Sequence, residues 1–153
     1  MDTRVIVITG AAIRIGACIA RTFHAQGFDV AISYRRSKAE AQALVDELNA
    51  ARSNTAKAWP MEMTSPGSVQ DFANEVLAHF GRVDVLVNSA CTFYPTAYGE
   101  SSEAQWDDLI GSNLRGAYFL TQRLSGSLKQ HQGQAVNLVD THADRPLPKH
   151  PIF

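Results

Sequence analysis

Cysteine is scarce in this sequence, and what there is sits apart. Cys18 and Cys91 are the only two in 153 residues, with no C-x-x-C pair and no accompanying histidine spacing. Neither a disulfide framework nor a zinc site is indicated. No metal is therefore expected, and a reducing, cytoplasmic setting fits best. Charge of one sign is missing too: 14 Lys and Arg stand against 15 Asp and Glu, a formal net charge of −1. That balance gives no electrostatic ground for nucleic acid or an anionic membrane as partner. No apolar run is long enough to span a bilayer, because Arg4, Gly10 and Arg14 interrupt the opening one and a spanning helix needs roughly 20 apolar residues. No signal peptide is expected either. Internal repeats, linkers and low-complexity stretches are absent. What remains is an ordinary globular composition, 45% hydrophobic and 19% charged, sized for one domain and suited to a small-molecule partner.

What is present is an alternation of strand and helix patterns that begins at residues 5–16, VIVITGAAIRIG. An apolar β-branched run, a glycine turn and an amphipathic helix are how a nucleotide-binding β-α unit starts. Gly10 allows the tight turn and Gly16 the close packing of helix on strand. Arg14 takes the place where a third glycine often stands, and its guanidinium would lie beside a cofactor phosphate at the helix N-terminus. Taken alone, this stretch also reads as the strand-turn-helix of any α/β protein, with Arg14 a solvated surface residue.

Ile15, Ile19, Ala20 and Phe23 then recur at helical spacing, with Gly27 as a stop. A strand is predicted from Asp29 to Ser33. Ser37 and Glu40 form a capping-box pattern for a helix whose apolar face is Ala41, Leu44, Val45 and Leu48. A third strand near Thr55 to Trp59 precedes a helix opened by Ser65 and Pro66, striped by Val69, Phe72, Val76, Leu77 and Phe80, and ended by Gly81. Val83 to Val87 reads as a fourth strand buried on both faces. A helix from Ser101 or Ser102 is expected to turn Trp106, Leu109, Ile110, Leu114, Ala117, Leu120 and Leu124 inward, and Ala135 to Val139 is the fifth strand. The order predicts an α/β, doubly wound, mostly parallel Rossmann-type sheet, incomplete at five strands, with ligands at the carboxyl ends of its strands.

Those ends carry the candidate chemistry. The second strand runs into Tyr34, Arg35, Arg36 and Ser37, cations and a hydroxyl where an NAD-selecting fold usually has an acid; a 2′-phosphate suits them better. The fourth ends in Asn88, Ser89, Ala90, Cys91, Thr92, Phe93, Tyr94 and Pro95, small and polar groups that admit a cofactor ribose, followed by an aromatic pair able to stack on a flat heterocycle. Phe93 reads equally as a loop anchor, and Cys91 more as a packing residue than a nucleophile, having no charged partner in view. Asn113 lies on the apolar stripe of its helix, so its amide is expected to be buried and partnered, in a structural hydrogen bond or a proton relay. Asp140 follows the fifth strand, as a turn residue or as a proton donor with a raised pKa.

Together these residues resemble the short-chain dehydrogenase/reductase family, and its pteridine reductase branch in particular. Thr9-Gly10 through Arg14 to Gly16 resembles that branch's T-G-x-x-x-R-x-G turn, with Ile15 inside it; Arg36-Ser37 resembles its NADP-phosphate site, and Asn88 to Ala90 the family's N-N-A-G segment. Phe93-Tyr94-Pro95-Thr96 matches the branch's pterin-side loop, where the resemblance implies that Phe93 stacks on the substrate, with Cys91 beside it. Asn113 falls on the family's helix asparagine, and Asp140 stands where the branch has Asp in place of the common Ser. The resemblance covers the whole chain. It implies NADPH as cofactor, a dihydropterin or dihydrofolate as substrate, and a homo-oligomer, a tetramer, in the full-length form. Residues 1–153 would then be an NADP-binding Rossmann-type domain, the N-terminal part of a short-chain reductase domain.

Three departures matter. Ser89 replaces the second Asn of the segment, and Glu62-Met63 stands where an Asp-Leu pair usually contacts adenine. The third concerns catalysis: the family's catalytic Tyr falls thirteen residues after Asp140, at Phe153, and the Lys expected four residues later lies beyond it. A phenyl ring cannot donate a proton, so this polypeptide alone is expected to be inactive or nearly so. A reductase of another carbonyl or enoyl substrate, or a non-catalytic nucleotide-binding module, are the alternatives. The fifth strand is expected to be uncovered, an edge open to mispairing.

Overall fold

β1 (Val5–Ile8) is wholly buried, as an all-apolar strand must be when helices cover both faces of its sheet. In the computed structural model, which describes residues 3–153, it is the central strand of a five-stranded sheet. β2 (Asp29–Tyr34) and β3 (Ala56–Pro60) lie on one side, β4 (Val85–Asn88) and β5 (Gln134–Asn137) on the other, in the order β3-β2-β1-β4-β5. Every pairing is parallel. The side-chain alternation of a strand sorts the core into two layers. Ile6, Ile8, Val30 and Ile32 face Ala17 and Ala20 of α1 (Arg14–Ala25) and Leu44 and Leu48 of α2 (Lys38–Ala51). Val7, Ala31 and Leu86 face Phe72 and Val76 of α3 (Pro66–Phe80) and Leu120 and Leu124 of α5 (Gly116–Gln130). Burying each such side chain fully is worth about 1.5–3 kcal/mol, so both helical layers are strongly held.

The helix ends follow local chemistry where that chemistry is self-contained. Ser65 accepts from the Ser68 N–H, Pro66 occupies the first turn and Gly81 ends α3 in the left-handed region at φ +74°, as expected. A complete capping box opens α4 (Glu103–Ile110), from Ser102 and Gln105. The Ser37–Glu40 box does not form. Ser37 precedes α2 at φ −85° and ψ 57° with no capping bond from its side chain, because the chain enters through a tight turn in which the Lys38 N–H donates to the Arg36 carbonyl.

Two predicted helix faces are corrected. α1 turns Gly16, Ala17, Ala20 and His24 inward, leaving Ile15 66% exposed at its first turn. Between α4 and α5 the chain makes a π-turn, Gly111–Arg115, whose extra residue shifts the phase of the helix by roughly 100°. After Leu109, buried on α4, the inward residues are therefore Ser112, Gly116, Leu120, Leu124 and Leu128, and Leu114 is exposed; Trp106, ahead of the turn, is exposed on α4 itself. β5 also differs, ending at Asn137 rather than Val139. All four of its residues are exposed, and Leu138 and Val139 beyond it are too. Among the described residues β5 is an edge strand of the sheet.

Candidate functional site

β1 lies between β2 and β4, and the connection leaving β1 runs to β2 while the one leaving β4 runs the other way to β5, so the carboxyl ends of β1 and β4 are the switch point over which a doubly wound sheet has its ligand crevice. The turn after β1 is fastened on both sides of the crevice. Toward β2, the Gly10 N–H donates to Ser33 Oγ at 3.2 Å and the Ala11 N–H to the Ser33 carbonyl at 3.1 Å. Toward β4, the enclosed Thr9 hydroxyl accepts from the Ser89 and Ala90 N–H groups, each at 2.9 Å. Gly10 adopts φ +64°, and a Cβ there would fall 2.9 Å from Ala90 Cα. At Gly16 a Cβ would meet Ala11 Cα at 2.6 Å. Only glycine fits at either position. Arg14 opens α1 in the left-handed region, at φ +53°, a conformation that L side chains adopt at a cost and that recurs at functional sites. The first turn of α1 carries no acid and no side-chain cap. Its backbone N–H groups thus remain for an anion.

At the end of β2 the two arginines differ. Arg35 Nε lies 3.3 Å from Glu62 Oε2, whereas Arg36 is exposed and without an ion pair among the described residues. Ser37 keeps its hydroxyl uncommitted, and Tyr34 accepts the Met61 N–H at its carbonyl. Glu62 also accepts from Thr64. Met63 is buried in the α3–α5 layer, so its side chain serves the core.

The loop after β4 is held at successive points. Asn88, 6% exposed, donates through Nδ2 to Asn137 Oδ1 at 2.8 Å and Thr121 Oγ1 at 3.1 Å, while its Oδ1 is buried without a partner. Asn113, in the π-turn, makes two 2.8 Å bonds to the backbone of Thr92: Oδ1 accepts from N–H and Nδ2 donates to C=O. Asn113 is half-buried rather than buried, and of the two roles foreseen for it the hydrogen bonds are of the structural kind, to a loop. The Tyr94 hydroxyl donates to Asp108 Oδ2 of α4 at 3.0 Å. Between these anchors Phe93 stands 51% exposed. Partial desolvation, and secondarily the Asp140 carboxylate, push the thiol of the exposed Cys91 up. Asp140 itself lies three residues past β5 and accepts the His142 N–H at 2.9 Å, opening a short 3₁₀ turn.

The short chain dehydrogenase profile matches residues 4–153. The chain belongs to that family. Pteridine reductase 1 of Leishmania tarentolae is 34% identical over 181 residues, covering 94% of this chain and 63% of that protein. A 3-oxoacyl-[acyl-carrier-protein] reductase FabG of Staphylococcus epidermidis is 34% identical over 133 residues, covering 86% and 54%. The chain thus spans little more than half to two thirds of the length of these relatives, both named as reductases.

In this chain the structure brings Thr9, Gly10 and the 88–93 loop together across one crevice, with Phe153 4.7 Å edge-on to Phe93. Arg36 and Ser37 sit at the end of the neighbouring strand. Thr9, Asn88 and Met63, foreseen as cofactor contacts, have their side chains inside, as clamps and core. The sequence reading missed Asp108, Thr121 and His150. Thr121, a hydroxyl four residues on from Ala117 along the predicted inward stripe, carried the one usable signal. Among the described residues no cluster of His, Cys, Asp or Glu could hold a metal ion, and no helix is long and apolar enough to cross a membrane.

Proposed function

We propose that this chain is the cofactor-binding part of an NADPH-dependent reductase acting on a flat heteroaromatic substrate of the dihydropterin or dihydrofolate kind. The observation that carries the reading is Phe93, an exposed aromatic ring at the mouth of the crevice whose backbone neighbours are pinned on both sides, Thr92 by Asn113 and Tyr94 by Asp108. Its likeness to a pteridine reductase supports the same substrate class. The residues present fit the cofactor: the first turn of α1 offers bare N–H groups, and Arg14, Arg36 and Ser37 are uncommitted cations and hydroxyl for phosphates. NADPH, when bound, supplies the hydride. The residues of this chain bind and orient: Phe93 stacks on the ring, Asn113 holds the loop that carries it, and Asp140 is the carboxyl group at hand for a proton. A homo-oligomeric, tetrameric full-length form in the cytoplasm belongs to the same reading, and exposed Trp106, Leu114, Tyr118 and Phe119 supply apolar surface for it.

The FabG relatives favour a second reading, a reductase of 3-oxoacyl thioesters, and Phe153 favours a third, a nucleotide-binding module without turnover. Fluorescence titration separates them. NADPH should bind at least about tenfold tighter than NADH, and the NADPH-loaded chain should bind dihydrobiopterin in preference to an acetoacetyl thioester. Preference for the thioester would support the second reading, and binding of neither the third.

A further inference from the structure

The Phe93 ring is not bare. The His150 imidazole lies flat on it, with centroids 4.6 Å apart and planes within 5°, and Phe153 closes the edge at 74°. The segment carrying both is fastened across the loop, since the Thr96 N–H donates to the Lys149 carbonyl at 2.7 Å. His150 Nδ1 lies 2.9 Å from the Pro148 carbonyl, a contact that assigns the proton to that nitrogen and fixes the ring within its own turn. A parallel heteroaromatic ring on a phenyl face is also what a bound pterin would present.

We infer that His150 is an internal competitor for the substrate's place, setting the apparent affinity of any ring that stacks on the face of Phe93 it covers and of nothing else. The inference rests on the reading of Phe93 as the substrate's stacking partner. A planar substrate must displace the imidazole before it takes the same face, so its apparent dissociation constant is the intrinsic one divided by the fraction of molecules with that face free. The displaced stack is of the strength ordinary for aromatic pairs, which corresponds to about 2- to 13-fold in affinity. Ligands that do not use the face, NADPH among them, are indifferent to His150.

Dihydrobiopterin titrated into the NADPH-loaded chain tests this with the parent and four variants. His150→Ala should tighten dihydrobiopterin by about 2- to 13-fold and leave the NADPH dissociation constant unchanged. His150→Phe, which keeps a ring on the face, should stay near the parent affinity, and Phe93→Ala should weaken binding. In the double variant the effect of His150→Ala should vanish. If His150→Ala leaves dihydrobiopterin affinity unchanged or weakens it while Phe93→Ala weakens it, the imidazole is a wall of the site and the inference is overturned with the substrate reading intact. Should Phe93→Ala leave binding unaltered, the substrate reading fails and the inference goes with it.

Discussion

Gly10 lies so close to Ala90 that a methyl group on the glycine would fall 2.9 Å from the alanine Cα. Two effects meet there, the left-handed backbone and the approach of the β4 loop, and a second glycine separates them. Gly81 has a similar φ of +74° but nothing within 4 Å of the missing Cβ. Gly81→Ala should cost about 1–2 kcal/mol, the conformational part alone. Gly10→Ala should cost about 2–4 kcal/mol and weaken NADPH at least about tenfold. Urea unfolding of the two variants measures the first difference; equal losses would mean that the Ala90 contact yields freely.

Thr9 offers a second test of the same junction. Its hydroxyl accepts two backbone N–H groups in a fully enclosed position. Thr9→Val keeps the shape and strands both donors, so a loss of about 1–3 kcal/mol is expected. Thr9→Ser retains the acceptor and should lose less. Denaturant midpoints at constant slope decide between them.

Arg35 and Arg36 should differ in their effect on the cofactor. Arg36 has no carboxylate partner among the described residues, whereas Arg35 shares its charge with Glu62 at 3.3 Å. Arg36→Ala should weaken NADPH by about tenfold to a hundredfold with NADH unchanged. Arg35→Ala should weaken NADPH less. Glu62→Gln should tighten NADPH by releasing Arg35. A fluorescence titration with both nucleotides reads all three, and equal losses for NADPH and NADH in Arg36→Ala would remove Arg36 from the 2′-phosphate.

What could be read in advance divides along a physical line. The strands and their succession along the chain were legible because periodicity and glycine or proline punctuation are local. α3 was legible to its caps, since Ser65, Pro66 and Gly81 act within their own turn. Ser37 was not, because a capping box depends on φ and ψ as much as on residue type. Leu114 was placed on the wrong face because the π-turn at residues 111–115 resets the helix phase, and nothing in residue type announces it; Trp106 lies ahead of that turn, on the exposed side of α4. The candidate site follows the same rule. The rule of carboxyl strand ends located the loops at 9–16, 34–37, 88–96 and 140, yet not which side chains face inward: Thr9 and Asn88 turn into the fold, and Phe93 out of it. His150 on Phe93 is a contact across 57 residues that no spacing encodes.

The π-turn should be visible in dynamics. Asn113 holds Thr92 by two hydrogen bonds of 2.8 Å, so Asn113→Ala frees the Phe93 loop without touching the sheet. Amide exchange should quicken at Thr92 by about tenfold or more while β1 and β4 keep their protection. Uniform loss of protection would make Asn113 a global rather than a local anchor.

His24 should make the fold sensitive to acid. It is 7% exposed, hydrogen-bonded to Thr55 Oγ1 at 2.7 Å, and its pKa is lowered from the ordinary value by burial first and by the Arg52 charge second. In the unfolded chain the same imidazole takes up a proton near pH 6.5. Between that value and the lower folded one, the unfolded state binds more protons, so stability rises with pH. The contribution is whole above about pH 6.5 and is lost as the pH falls through that value toward the folded pKa. His79 is shifted in the same direction by burial and Lys57, but it is exposed and contributes less. Thermal melts between about pH 7.5 and 5.5 should show Tm falling with acid. His24→Gln, which can keep a bond to Thr55 and cannot titrate, should flatten that slope; an unchanged slope would place the titration elsewhere in the chain.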